Sequence, residues 1–76
     1  MNVSISFQDV FTMIAKAAGK INLETAVDYG TAIKDAIFDY NGEVKVLILD
    51  FSEITFISSI GLKVILEIYQ ELEVKD

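Results

Sequence analysis

The apolar run from Val44 to Leu49 constrains the fold of this chain more than any other feature of the sequence. Lys45 is its single polar member, so the run lacks the alternation of polar and apolar side chains found in a half-exposed strand. A run of this kind is typical of a strand that is covered on both faces, as in a parallel sheet. We therefore predict a buried strand that ends at Asp50, followed by a mixed connection from Phe51 to Ile57.

Two further strands are predicted ahead of this run. From Val3 to Phe7 the odd-numbered residues are apolar and the even-numbered residues are polar, which is the period of a half-buried strand. Gln8-Asp9 is predicted to be a turn. The mostly apolar stretch from Val10 to Ala17 then predicts a second strand, antiparallel to the first and covered on both faces, and Gly19 marks its end.

A first helix is predicted to follow Asn22, which is a favourable N-cap residue. Gly30 inside this helix costs about 1 kcal/mol relative to Ala, so we expect it to permit a close approach to the sheet. Asn41-Gly42 predicts the end of the helix, because either residue accepts the left-handed conformation. The expected core stripe comprises Leu23, Ala26, Val27, Ile33, Ala36, Ile37 and Tyr40.

A second helix is predicted to start at Ser58-Ser59. Its expected core stripe comprises Leu62, Ile65, Leu66, Tyr69 and Leu72. Val64 and Ile68 widen the stripe, which indicates burial on two sides or a partner surface. The order β-β-α-β-α predicts a single α/β domain over residues 1–76, with a small mixed sheet, an antiparallel N-terminal hairpin and a parallel βαβ unit with a right-handed crossover.

Composition excludes several classes of function. The chain has no Cys and no His, so it cannot form a disulfide, a typical zinc site, or a Ser-His-Asp or Cys-His catalytic group. Its net charge is -6 and all its basic residues are Lys, which disfavours binding to nucleic acid. Charges interrupt every apolar run and no signal peptide is visible at the start, so we expect a cytoplasmic protein that does not insert into membranes.

Enzymatic activity has little support in the sequence. Asp50 and Glu53 are close along the chain, but nothing indicates that they converge in a cleft, and we expect a strand-end cap and a solvated loop charge. The four glycines are scattered singly, so none forms a phosphate-binding loop. We predict a protein that is not an enzyme and uses no cofactor and no metal.

Two landmarks occur in order along the chain. From Gly19 to Ala26, a Gly, a charged residue, an aliphatic residue and an Asn lead into the first helix. The second landmark comprises Leu49-Asp50-Phe51, Phe56-Ile57, Ser58-Ser59 and Gly61-Leu62. Both resemble the pattern of the STAS domain of bacterial anti-sigma factor antagonists, and the resemblance extends from about Val3 to the end of the chain.

The resemblance implies a binding module controlled by phosphorylation. Members of that family bind an anti-sigma factor that is also a serine kinase and so release a sigma factor, until the kinase phosphorylates them. Alignment on the Gly-Leu step places Ser59 at the acceptor position. Ser58 stands where Asp is common and Ile60 where a second hydroxyl is common, so Ser58 is a rival acceptor. The resemblance assigns partner binding to Asn22, Ser58, Ser59, Ile60, Gly61 and Leu62.

The physical setting of the serine pair allows two interpretations. A helix N-terminus tolerates a phosphate, and the added charge of about -1.5 to -2 would change a docking surface around it. A purely structural interpretation is that one serine caps the helix. The two roles are compatible, since one serine can cap while its neighbour is exposed.

The sequence is also compatible with two other functions. One is a STAS-like interaction subunit of a larger complex, for example a transporter-associated one, without a phosphorylation switch. The other is a small nucleotide-binding module, which no glycine loop supports.

The end of the sequence also departs from the family pattern. The family domain continues with another parallel strand and closing helices, so the resemblance implies an incomplete domain that stops at Asp76. The run from Val44 to Leu49 is then an edge strand, whose unpaired backbone groups favour a homo-oligomer formed by edge pairing or by exchange of an element. The alternative is that the chain is a fragment of a longer protein.

Overall fold

The order and type of the secondary-structure elements follow the prediction. The computed structural model describes residues 1–75, with side chains as far as residue 73. Its elements are β1 (Val3–Asp9), β2 (Thr12–Ile21), α1 (Ala26–Asp39), β3 (Val46–Ile57) and α2 (Ser59–Lys75). The sheet order is β1-β2-β3, with β1 antiparallel and β3 parallel to the central β2. The predicted α/β fold and its β-β-α-β-α order are confirmed, whereas the last residue of the predicted domain lies outside the described residues.

The hairpin between β1 and β2 turns two residues later than predicted. β1 continues through Asp9, and Val10 and Phe11 form the turn. The Asp9 carboxylate accepts the backbone N–H of Phe11 at 2.9 Å, which is the local hydrogen bond that favours a turn at this position. As turn residues, Val10 and Phe11 are exposed rather than part of a buried strand.

The sheet is covered on one face only, which corrects the prediction that β2 and β3 are covered on both. Buried side chains of β2, such as Met13 and Ala15, join those of the two helices in one core cluster. Lys16 points to the opposite face and is exposed, as are Val46 and Ile48 of β3, at 49% and 38%. The apolar run therefore lies in a strand with one open face.

β3 does not end at Asp50 but continues to Ile57, because β2 offers it partners as far as Ile21. Two irregularities in the register each place one extra residue in β3. At the first, the Asp50 carboxylate accepts the backbone N–H of Ser52 at 2.9 Å. At the second, Gly19 has a φ of 103°, so it bends β2 instead of ending it.

The buried face of α1 is rotated relative to the predicted stripe. Leu23 and Val27 are exposed, at 76% and 66%, and the core takes Tyr29 and Gly30 in their place. The buried residues of the helix are Ala26, Tyr29, Gly30, Ile33 and Ile37.

Gly30 permits a close approach of the two helices and not, as predicted, of the helix to the sheet. A Cβ at this position would lie 2.5 Å from Cγ1 of Val64 in α2. Because this distance is far below van der Waals contact, a side chain here would force the helices apart.

The backbone conformation that ends α1 also differs from the predicted left-handed one. The helix ends at Asp39, but neither Asn41 nor Gly42 has a positive φ. The chain instead leaves the helix at Tyr40, which is extended at φ -71° and ψ 132°. Tyr40 donates its hydroxyl to the Val10 carbonyl at 2.8 Å, and this bond holds the end of α1 against the hairpin.

The core face of α2 is set by contact with α1. Its buried residues are Gly61, Val64 and Ile68, which were expected only at the margin of the stripe or outside it. The residues of the predicted core stripe are not fully buried. Leu62, Leu66 and Tyr69 are exposed at 59%, 54% and 58%, and Ile65 and Leu72 are half-buried. α2 therefore has a second apolar side that the described part of the chain leaves open.

Candidate functional site at the helix starts

Ser58 joins the end of β3 to the start of α2. Its backbone N–H donates to the Ile21 carbonyl at 2.9 Å, which ties it to the last residue of β2. Its hydroxyl oxygen accepts the Gly61 N–H at 3.3 Å, and its carbonyl accepts the Leu62 N–H at 3.1 Å. Ser58 is therefore the N-cap of α2, and its side chain is engaged within the fold.

Ser59 is the first residue of α2 and is exposed. Within the described residues its hydroxyl has no hydrogen-bond partner, in contrast to that of Ser58. No acidic residue occupies the first turn of α2, so no carboxylate competes for the free N–H groups of that turn. These N–H groups and the helix dipole favour negative charge at this position.

Gly61 is buried where α2 crosses the ends of β2 and β3. A Cβ there would lie 2.8 Å from Ile21 Cγ2 and 3.2 Å from the Ile21 carbonyl oxygen. The second of these atoms belongs to the backbone, which cannot rotate away. Glycine is thus required for α2 to start this close to the sheet.

Asn22 caps the turn that leads into α1, although the helix itself begins one turn later than predicted, at Ala26. Its side-chain oxygen accepts the N–H groups of Glu24 and Thr25, at 3.0 and 3.2 Å. The Thr25 hydroxyl accepts the Asn22 N–H at 2.9 Å and donates to the Lys20 carbonyl at 2.6 Å. This reciprocal arrangement is a capping box, with Thr in the place usually taken by Glu or Gln.

Thr25 was absent from the residues predicted to form the site. The available signal was its spacing, three residues after Asn22, which is the spacing of a capping box. A rule restricted to Glu or Gln at that position misses it.

The topology brings both helix starts to the same end of the sheet, at the carboxyl ends of β2 and β3. Lys20 pairs with Phe56 and Ile21 with Ile57, so the two segments that follow leave the sheet side by side. Of the residues predicted to bind a partner, Asn22, Ser58, Ser59 and Gly61 all lie in these two segments.

The two residues predicted to bind a partner that follow the serine pair with a side chain are both apolar. Ile60 is half-buried and packs against the core, whereas Leu62 is exposed at 59%. Leu23 and Phe56, which were not predicted as site residues, are exposed at 76% and 51% in the segments on either side. Within the described residues, these two segments therefore expose a hydroxyl without a hydrogen-bond partner and separate apolar side chains such as that of Leu62.

The groups with shifted pKa values lie away from the two helix starts. Lys16 and Glu53 form an ion pair of 3.0 Å on the open face of the sheet, and the Glu53 carboxylate raises the pKa of Lys16. The Ser52 N–H lowers the pKa of Asp50 by donating to its carboxylate. Both acids thus lie within β3, and not at a strand end and in a loop as predicted.

Within the described part of the chain, no group of three or more acidic side chains is arranged to hold a metal ion. Over the same residues, neither helix has the length and apolar character needed to cross a membrane.

Comparison with known proteins identifies the pattern. A family model of the STAS domain matches residues 3–76. Among curated proteins, none matches the chain at a significant level.

Solved structures of similar fold are longer than this chain. The unphosphorylated anti-sigma factor antagonist SpoIIAA has a TM-score of 0.75 at 23% identity, over 96% of this chain and 62% of its own. An anti-sigma factor antagonist from Mycobacterium paratuberculosis has a TM-score of 0.80 at 25% identity, over 93% and 57%. The phosphorylated form of SpoIIAA, a Bacillus cell fate determinant, has a TM-score of 0.69 at 23% identity, over 96% and 64%. The chain thus spans less than two thirds of the length of these structures.

Proposed function

The chain belongs to the STAS domain family, and on that premise we propose that it is an anti-sigma factor antagonist whose binding to an anti-sigma factor kinase is controlled by phosphorylation of Ser59. The protein is then the substrate of an enzyme and not itself an enzyme. Its unphosphorylated form binds the kinase and frees a sigma factor, and phosphorylation ends the complex.

The observation that carries this proposal is the difference between the two serines. The Ser58 hydroxyl accepts the Gly61 N–H inside the fold, whereas the Ser59 hydroxyl is exposed at the first position of α2. A kinase can reach Ser59 without opening the start of the helix. Modification of Ser58 would remove a cap, which costs about 1 kcal/mol.

The surroundings of Ser59 explain how a phosphate would end binding while leaving the fold intact. The helix N-terminus accepts the added charge locally. Leu62, in the same first turn of α2, is exposed at 59%, and a partner docked over this turn would have to desolvate the phosphate. The charge therefore disfavours the complex rather than the folded domain.

The test compares binding before and after modification. The affinity of the cognate anti-sigma factor kinase is measured by calorimetry for the unmodified protein, the phosphorylated protein and Ser59→Asp. We expect phosphorylation to weaken binding at least about tenfold, because a charge enters a largely apolar contact. Ser6→Asp, which places the same charge on exposed β1, is the matched control and leaves the affinity unchanged. Equal affinity before and after phosphorylation contradicts the proposal.

A second candidate function is a STAS interaction subunit of a larger complex with no phosphorylation switch. The observation that favours it is Ile60, which packs an aliphatic side chain against the core where a second hydroxyl would be expected. This candidate predicts that the kinase and ATP add no phosphate to the protein. It also predicts that Ser59→Asp binds its partner as tightly as the unmodified chain.

A further inference from the structure

Lys63 lies one helical turn after Ser59 on α2, and both residues are exposed. Residues four apart on a helix share one face, with their Cβ atoms about 5–6 Å apart. Long helical side chains point back towards the start of the helix, over the preceding turn. The favoured rotamers of Lys63 therefore bring its ammonium group towards Ser59 and not away from it.

Lys63 also differs from most other lysines in having no partner within the described structure. Among the lysines with described side chains, Lys20 and Lys63 alone contact neither an acid nor an aromatic ring. The other three have such a partner: Lys16 is 3.0 Å from Glu53, Lys34 is 3.7 Å from Glu67, and Lys45 is 4.5 Å from the centre of the Phe11 ring. The ammonium group of Lys63 is therefore available for an anion placed next to it.

Glu67 is the acid that follows Lys63 on the same face of α2. Its carboxylate lies against the Lys34 ammonium of α1. An acid four residues before a Lys is also more favourable than one four residues after it, because that order agrees with the helix dipole. An anion on Ser59 would occupy the favourable position, whereas Glu67 occupies the other.

The neighbouring flank of α1 places no charge beside this turn of α2. The ion pair between Lys34 and Glu67 shows which flank of α1 faces this side of α2. One and two turns nearer to the helix starts, the same flank carries Thr31 and Val27, neither of which is charged. That flank therefore supplies no carboxylate that would repel a phosphate or compete for Lys63.

We propose that Lys63 is a positioning residue for the phosphate on Ser59, which it binds by a charge-assisted hydrogen bond across one turn of α2. The inference deepens the proposed function and rests on it, since it requires phosphorylation of Ser59. Phosphorylation then changes the surface at two places. It adds negative charge at Ser59, and it engages the ammonium group that the unmodified chain presents to a partner.

The test uses phosphoserine that is genetically encoded at position 59 of the 76-residue chain, so that no kinase is needed. The pKa of the phosphate, ordinarily about 6, is measured by phosphorus NMR. The chain has no His, and carboxyl and Lys groups titrate well away from this range, so no other side chain overlaps the titration. The nitrogen signal of the Lys63 ammonium is followed over the same pH range.

Lys63→Gln should raise the pKa of the phosphate by about 0.3, because an ion pair across one helical turn is lost. Lys63→Arg keeps the positive charge and should leave that pKa close to its value with Lys63. Lys20→Gln is the matched control, because it removes the other lysine without a described partner, from β2 instead of α2, and it should leave the pKa unchanged. The nitrogen signal of Lys63 should follow the titration of the phosphate.

Three results would overturn the proposal. An unchanged pKa in Lys63→Gln would assign the phosphate to the N–H groups of the first turn alone. An equal rise in Lys20→Gln would reduce the effect to long-range attraction, and an equal rise in Lys63→Arg would show that the charge at this position does not matter. Each of these results leaves the proposed function intact, whose own failure is an absence of phosphate on Ser59 after reaction with the kinase.

Discussion

The starts of the two helices lie side by side, yet they are held in different ways. At α1, the Asn22 side-chain oxygen accepts the N–H groups of Glu24 and Thr25. The Thr25 hydroxyl accepts the Asn22 N–H and donates to the Lys20 carbonyl. At α2, among the described residues, the Ser58 side chain makes a single hydrogen bond of 3.3 Å and the Ser59 hydroxyl makes none.

The difference lies in how many hydrogen bonds hold each helix start. The α1 start fixes the end of β2 through the side-chain hydrogen bonds of Asn22 and Thr25. The α2 start takes its position from the same strand, through the bond from Ser58 to the Ile21 carbonyl, and presents Ser59 to solvent.

Gly61→Val should have the largest effect on the stability of the fold. The new Cβ would lie 2.8 Å from Ile21 Cγ2, and the Ile21 carbonyl next to it cannot move independently. We expect a loss of about 3 kcal/mol, typical of severe overpacking, measured by urea unfolding. Ser59→Ala in the same turn serves as the control and should change stability by less than about 0.5 kcal/mol. An unchanged urea midpoint for Gly61→Val would show that α2 does not start this close to the sheet.

Asn22→Ala should destabilise the fold more than Ser58→Ala. Asn22 accepts two backbone N–H groups, whereas Ser58 accepts one through a longer bond. We expect losses of about 1.5 kcal/mol and about 0.5–1 kcal/mol, from the known range of cap substitutions. Equal losses in thermal or urea unfolding would remove the contrast between the two helix starts.

Tyr29→Phe should stabilise the protein by about 1 kcal/mol, because the buried hydroxyl has no hydrogen-bond partner in the described structure. Tyr29 lies in the first turn of α1, where the core takes a large side chain, whereas the first turn of α2 takes Gly61. A lower urea midpoint for Tyr29→Phe would indicate that the hydroxyl does have a partner.

The same residue predicts a loss of stability at alkaline pH. Burial raises the pKa of Tyr29 from 10.0 to about 12. Between these values the unfolded chain releases the phenol proton while the folded chain keeps it, so stability is present below pH 10 and falls as the pH rises towards 12. Tyr29→Phe should reduce this decline in a series of unfolding curves. An identical decline in both proteins would assign it to other groups.

The element order could be predicted from the sequence, but the buried faces could not. Strand and helix periods are local properties, and they distinguish β1 from α1 without knowledge of packing. The face that each helix buries depends on its neighbour: Gly30 admits Val64, and this contact turns the predicted stripe of Leu62, Leu66 and Tyr69 outwards. Likewise, β3 extends past Asp50 only because β2 continues beside it.

The local geometry of the serine pair was more predictable than the core. A cap and an exposed neighbour were expected at the serine pair, since a helix start presents free N–H groups whatever it packs against. What the residue pattern could not establish was which serine caps the helix, because that depends on the bond between Ser58 and Gly61. The role of Thr25 was missed because its two hydrogen bonds require the turn between β2 and α1 to be built first.

The most direct test of the account is the position of the phosphate after reaction with the cognate kinase and ATP. Fragmentation of the peptide that contains both serines, by mass spectrometry, separates Ser58 from Ser59. The account predicts phosphate on Ser59 alone, with no phosphate on Ser59→Ala and full modification of Ser58→Ala. Phosphate on Ser58, or its persistence in Ser59→Ala, would contradict the division between a capping serine and an exposed acceptor.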